Sequence, residues 1–241
     1  MRRKILLLVT AFALISPLEC RHTLSEECTK VETPFDIRDQ VQALYDAMCP
    51  DGCVGSGAFE QAYEGYCKIA NKSREVLTLI DFSLPSTEPR LFVFDIPGKK
   101  MLFKSVVAHG RNSGGNYATS FSNKPGSYKS SLGFYLTTQT YQGKNGYSLR
   151  LKGLEKGIND MAEARAIVIH GAKYADPKVC ASGRLGRSLG CPALPERVNR
   201  TIIDAIKGGS VLFIYSGSED YRTATRILEK PEESHGHDLN G

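Results

Sequence analysis

Cys191 and His170 are the two residues whose types and spacing permit covalent chemistry. Ile167-Val168-Ile169-His170-Gly171 reads as an apolar strand that ends on an imidazole. Downstream, the loop Gly186-Arg187-Ser188-Leu189-Gly190-Cys191-Pro192 delivers a thiol. A thiol is a nucleophile only as its thiolate, so it needs a base. Attack on a carbonyl creates an oxyanion, which needs fixed N–H donors. Arg184 and Arg187 flank the thiol, and guanidinium charge lowers a thiol pKa; Gly190 lets a substrate approach the backbone. The residues alone also permit an inert or disulfide-bonded cysteine at 191 and a core histidine at 170.

Other side chains offer weaker signals. His109-Gly110-Arg111-Asn112 closes an earlier strand and opens a polar loop, which makes His109 a substrate contact or a shaper of the turn. Arg187, and Arg150 with Tyr147 and Lys152 on a hairpin, face either a carboxylated substrate or solvent. A zinc site from His109, His170 and Cys191 would suit a peptidase, but no His-x-x-x-His or Cys-x-x-Cys pairing supports it. Ser234-His235-Gly236-His237 imitates the start of a Ser-His-Gly-Cys signature, yet no cysteine follows and the surroundings are polar.

The elements that must position the pair are mostly strands. Helical periodicity covers 36–49 and 58–70, separated by Pro50-Asp51-Gly52. Strand patterns follow at 76–82, 91–96, 101–108, 134–141, 147–151, 166–170 and 210–215, with a helix at 198–206 stopped by Gly208-Gly209. Pro97-Gly98-Lys99 and Asn145-Gly146 are turn signals. These patterns imply an α+β fold, mainly β with small helices. They divide the chain into a signal peptide (1–20), a helical cysteine-containing segment (21–72), a β-rich domain (73–216) and a polar C-terminal tail (217–241).

Composition narrows the class. The chain has 241 residues, 41% hydrophobic and 24% charged, and a formal charge of +5. No Lys/Arg run tracks phosphates, so nucleic acid is not an expected partner. Arg2, Arg3 and Lys4 precede an apolar stretch from Ile5 to Leu18, right for a secretory signal and short for a membrane span. The expected mature protein is therefore exported, with no integral membrane span. Seven cysteines, at 20, 28, 49, 53, 67, 180 and 191, agree with an oxidising compartment. Cys28, Cys49, Cys53 and Cys67 form an even set with three possible pairings, and zinc on Cys49, Cys53 and Cys67 is the rival reading. Cys180 shares a loop with Cys191, so a disulfide between them would silence the thiol.

With His170, Ser188, Gly190 and Cys191 in place, the chain resembles the L,D-transpeptidase (YkuD-like) family of peptidoglycan enzymes. It is most similar to the divergent murein L,D-transpeptidase catalytic domain branch. The resemblance rests on Val107-Ala-His-Gly-Arg111, Phe121-Ser-Asn123, Ser130-Ser-Leu-Gly-Phe-Tyr135, Gly146-Tyr-Ser-Leu-Arg150 and Gly183-Arg-Leu-Gly-Arg-Ser-Leu-Gly-Cys-Pro192. Leu189 replaces the second motif histidine, and Ala193 stands where Asn or Arg is common.

The resemblance implies a β-sandwich catalytic domain in the periplasm or cell envelope, preceded by the helical segment. It implies Cys191 as nucleophile and His170 as base, supported by Ser188 and Gly190, with backbone N–H groups near Gly190 and Cys191 as the oxyanion hole. The expected substrates are peptidoglycan stem peptides, and no metal or organic cofactor is required. Hydrolysis to a carboxypeptidase or endopeptidase product, and a non-catalytic wall-binding module, are the competing expectations.

Overall fold

A computed structural model describes residues 34–52, 54–179 and 183–229. Residues 1–39 form one unit and 40–241 a second. Only the opening of helix α1 (Pro34–Met48) is described in the first. The expected signal peptide, Cys20, Cys28, Cys53, Cys180 and the Ser234–His237 stretch lie outside the described residues.

Among the described residues, the second unit is built on eight strands: β1 (Val76–Asp81), β2 (Leu91–Asp95), β3 (Lys100–Ser105), β4 (Gly133–Gly143), β5 (Gly146–Gly153), β6 (Val168–Gly171), β7 (Ala193–Leu194) and β8 (Val211–Tyr215). They form one sheet in the order β3-β2-β1-β8-β4-β5-β6-β7. β1 and β8 lie parallel at its centre and are buried almost throughout, so both read as apolar runs rather than alternations. Register shifts in β2–β3 and β4–β5 mark irregularities, which bend and twist strands.

The sheet nearly closes on itself. Residues 106–110 continue past β3, at one edge, and reach β7, at the other. Ala108 N–H donates to Ala193 O at 2.8 Å, and Ala193 N–H donates to Ala108 O at 3.1 Å. A second bridge pairs Gly110 with Ser188. The result is a barrel-like sandwich with a few small helices, as the mainly-β reading requires.

Helix α2 (Ser56–Lys68) buries Ala58, Phe59, Ala62, Gly65 and Tyr66, a stripe at helical spacing, against β1 and β8. Phe59 meets Phe94 edge-on at 5.3 Å between ring centroids. Helix α3 (Glu196–Ile206) buries Ile202, Ile203 and Ile206 and packs on β5 and β6. Cys67 is disulfide-bonded, which removes its sulfur from the zinc reading.

The segment read from sequence as a polar tail holds a helix, α4 (Glu219–Ala224). Tyr221 is its buried anchor, and its hydroxyl donates to Glu155 Oε2 at 3.1 Å. Phe134 N–H donates to the same oxygen at 2.6 Å, and Thr225 donates to the other, Oε1. One aromatic residue in a polar run was too small a signal to mark a docked helix.

Gly65 gives a sharp test of the α2 contact. A Cβ there would overlap the ring of Phe134, which is fully buried on β4. Alanine gains about 1 kcal/mol of helix propensity over glycine. Overpacking a rigid ring costs up to about 3 kcal/mol. Packing wins, so Gly65→Ala is expected to lower the thermal midpoint by several degrees; an unchanged or higher midpoint would refute the contact.

Candidate active site

His170 comes from β6, a strand that pairs antiparallel with β5 and parallel with β7. The register sets Ser148 opposite His170, Leu149 opposite Ile169 and Arg150 opposite Val168. Leu149, Leu151 and Ile169 face the main core, so residues 148, 150, 168 and 170 project from the other face of the sheet. A small apolar cluster of Val106, Ala108, Ala172, Ala175, Leu185 and Ala193 includes the register partner of His170, Ala193. His170 pairs with Ala193, two residues past Cys191. The thiol lies at the start of β6: Cys191 Sγ is 3.6 Å from Ala166 O, and the Val168 N–H is directed at the sulfur. Strand and loop thus bring the expected base and nucleophile to one end of the sheet.

His170 is buried, and its Nδ1 lies 3.0 Å from Gly171 O. A carbonyl only accepts, so Nδ1 carries the proton and Nε2 keeps its lone pair. Burial pulls the imidazole below the ordinary histidine range. Burial pushes the Cys191 thiol up, against the Val168 N–H and the charge of Arg165. At neutral pH the resting pair is therefore neutral thiol and neutral imidazole. That arrangement suits proton transfer during attack rather than a standing thiolate–imidazolium pair.

The loop before Cys191 is tied internally. Ser188 Oγ donates to Cys191 O at 2.6 Å and accepts Gly190 N–H at 3.0 Å. Gly190 has φ +129°, and a Cβ there would stand 2.9 Å from Lys129 O, so glycine is required. Because its N–H is committed to Ser188, Gly190 does not donate to an oxyanion in this arrangement. Of the N–H groups expected near Gly190 and Cys191 for an oxyanion, that of Gly190 is therefore taken up within the loop. Ser188 and Gly190 shape the loop.

His109 is engaged within the fold. It is buried, and Arg90 Nη2 donates to its Nδ1 at 2.8 Å. Nε2–H faces Gly114 O at 3.4 Å. Burial, then the Arg90 charge, pulls this imidazole down to about 4, so it is neutral and both nitrogens are used. Arg90 is buried too; it holds Val107 O through Nε (3.0 Å) and Nη2 (2.7 Å), and Leu84 O through Nη1 (3.0 Å). Together they brace the strand that reaches Ala193.

Arg187 spends Nη1 on Arg111 O (3.0 Å) and Gly114 O (2.8 Å), tying the loop after His109 to the cysteine loop. Arg150 is exposed on β5, stacked over Tyr141 at 4.6 Å, one strand from His170 on the same face. Arg184 and Arg187 bear electrostatically on His109, whereas the charge acting on Cys191 is that of Arg165. Sequence reading missed Arg165, Arg90 and Ser130. Ser130 accepts Gly110 N–H (3.1 Å) and donates to Gly190 O (3.0 Å). Cys191 is a free thiol.

A family model described as the L,D-transpeptidase catalytic domain matches residues 52–215. Among solved structures, the chain is similar to an L,D-transpeptidase from Mycobacterium smegmatis at 16% identity and a TM-score of 0.36, with 58% of each chain covered. An L,D-transpeptidase from Mycobacterium tuberculosis matches at 16% identity and a TM-score of 0.35, covering 58% of this chain and 57% of that one. The helical cell shape determining protein Pgp2 from Campylobacter jejuni matches at 16% identity and a TM-score of 0.34, covering 61% and 45%. The chain thus spans less than two thirds of the length of each. No curated protein matches it.

The neutral resting pair predicts how Cys191 alkylates. Its rate with iodoacetamide should rise with pH through a midpoint above the ordinary cysteine value of about 8.5. A midpoint below pH 7, followed by peptide mass spectrometry, would instead indicate a standing ion pair.

Proposed function

The chain belongs to the L,D-transpeptidase catalytic domain family, and from that premise we propose that it is a cysteine acyltransferase acting on peptidoglycan stem peptides. The observation that carries the reading is the 3.0 Å contact between His170 Nδ1 and Gly171 O, which assigns the ring proton to Nδ1 and leaves Nε2 as the acceptor, on a strand paired with the residues just past Cys191.

In this reading Nε2 takes the Cys191 proton as Sγ attacks the carbonyl between an L-centre and the following D-residue. The carbonyl π electrons move onto oxygen, and the Cys191 N–H meets the oxyanion. Collapse of the tetrahedral adduct breaks the C–N bond. The leaving amine takes the proton from the imidazolium, and a thioester remains on Cys191. An acceptor amine then attacks the thioester, gives its proton to His170 and forms a new amide. The thiolate leaves and is reprotonated by the imidazolium, which restores the starting enzyme.

Arg150, exposed beside the site, and Arg187 supply positive charge for the carboxylates of the stem peptide. Ser188 and Gly190 fix the loop that presents the thiol. Export rests on the basic and apolar run of residues 1–18. Among the described residues, no helix is long and apolar enough to cross a membrane.

Incubation with tetrapeptide muropeptides tests the reading. The wild-type protein is expected to yield cross-linked dimers and free D-amino acid. Cys191→Ala should abolish both products, and His170→Gln should slow turnover about 10²–10⁴-fold. Tripeptides without dimers would identify a hydrolase instead. Turnover retained in Cys191→Ala would overturn the nucleophile assignment.

A further inference from the structure

Arg165 stands just before β6 and has no place in the chemistry described so far. Its guanidinium donates from Nη1 to Ser122 O (2.7 Å) and Ser131 Oγ (2.5 Å). From Nη2 it donates to Lys129 O (2.6 Å) and Ser127 Oγ (3.4 Å). Every one of these acceptors is a neutral oxygen on one loop, residues 122–131. Among the described residues, Arg165 forms no ion pair with a carboxylate. A carboxylate partner would cancel its field, whereas carbonyl and hydroxyl oxygens only orient it.

The oriented charge faces the cysteine loop. Nη2 lies 3.3 Å from where a Cβ on Gly190 would stand, and Lys129 O, which Arg165 holds, lies 2.9 Å from that same point. Ser130, the next residue, donates to Gly190 O at 3.0 Å. The guanidinium therefore fixes the wall against which Gly190 packs, and its charge bears on the Cys191 thiol.

We propose that Arg165 is a positioning residue of the reaction centre: it pins the 122–131 loop against Gly190 and holds an uncompensated positive charge beside Cys191. The inference rests on the reading of Cys191 as nucleophile. Its consequence is that negative charge, on the thiolate first and on the oxyanion after attack, develops in a field set by residues that do not touch the substrate. Burial opposes ionisation of the thiol, and Arg165 works against burial.

The test is the pH dependence of Cys191 alkylation by iodoacetamide, which requires no turnover of peptidoglycan. In Arg165→Gln the midpoint should move to higher pH, and the rate at pH 7.5 should fall about threefold for every pH unit that the midpoint rises, the tenfold loss of thiolate being partly offset by its greater nucleophilicity. Arg165→Lys keeps the charge and should stay closer to wild type. If Arg165→Gln does not fold, Ser127→Asp decides: it pairs the guanidinium without removing it and should also slow alkylation at pH 7.5. A wild-type midpoint in folded Arg165→Gln, or in Ser127→Asp where the former does not fold, would overturn the proposal. So would a Lys variant that slows as far as the Gln variant, because packing rather than charge would then be responsible. Normal alkylation with no muropeptide product in the wild-type protein would count against the proposed reaction and leave the role of Arg165 standing.

Discussion

Two hydrogen bonds between Ala108 and Ala193 hold the two ends of the sheet together, and the placement of the thiol depends on them. β7 is two residues long and pairs with β6 at His170–Ala193 and Gly171–Leu194. Caught between β6 on one side and residue 108 on the other, it fixes the loop that carries Cys191 relative to His170. The bridging segment is secured from inside by Arg90, which grips Val107 O on one side of Ala108 and His109 on the other. Burying a guanidinium costs solvation, and burial pulls Arg90 down to about 9. Its hydrogen bonds to Val107, Leu84 and His109, the face of Phe82 at 4.8 Å and the field of Asp81 offset that cost.

The chemistry at the site follows from the same enclosure. Burial acts on both members of the pair in the direction of neutrality, raising the thiol and lowering the imidazole. The site therefore rests uncharged, and charge separates only as a substrate arrives. Fixed dipoles and one oriented cation then meet it: the Val168 N–H on the sulfur and Arg165 beside Gly190. Preorganised donors of this kind need no rearrangement at the moment of reaction.

Much of this frame was legible from residue patterns. The strand ending on His170, the β4–β5 hairpin and the apolar stripes of α2 and α3 follow from periodicity and turn chemistry, which are local. β7 was invisible because two residues carry no period, and α4 because one tyrosine carries no stripe. His109 left two readings open for a related reason: a histidine at the end of a strand looks the same whether it meets solvent or a buried arginine elsewhere in the chain. Arg165 sits between two alanines with no motif around it, and its importance comes only from loop residues it meets in three dimensions. Ser130 lay within a recognisable segment, but its link to Gly190 O is a contact across sixty positions.

His170 waits as a neutral imidazole with Nδ1 protonated and Nε2 bare. Long-range nitrogen–proton correlation NMR on histidine-labelled protein at neutral pH reads this directly. The expected spectrum is that of a neutral His170 ring with the proton on Nδ1. An imidazolium, or a neutral ring protonated on Nε2, would contradict it.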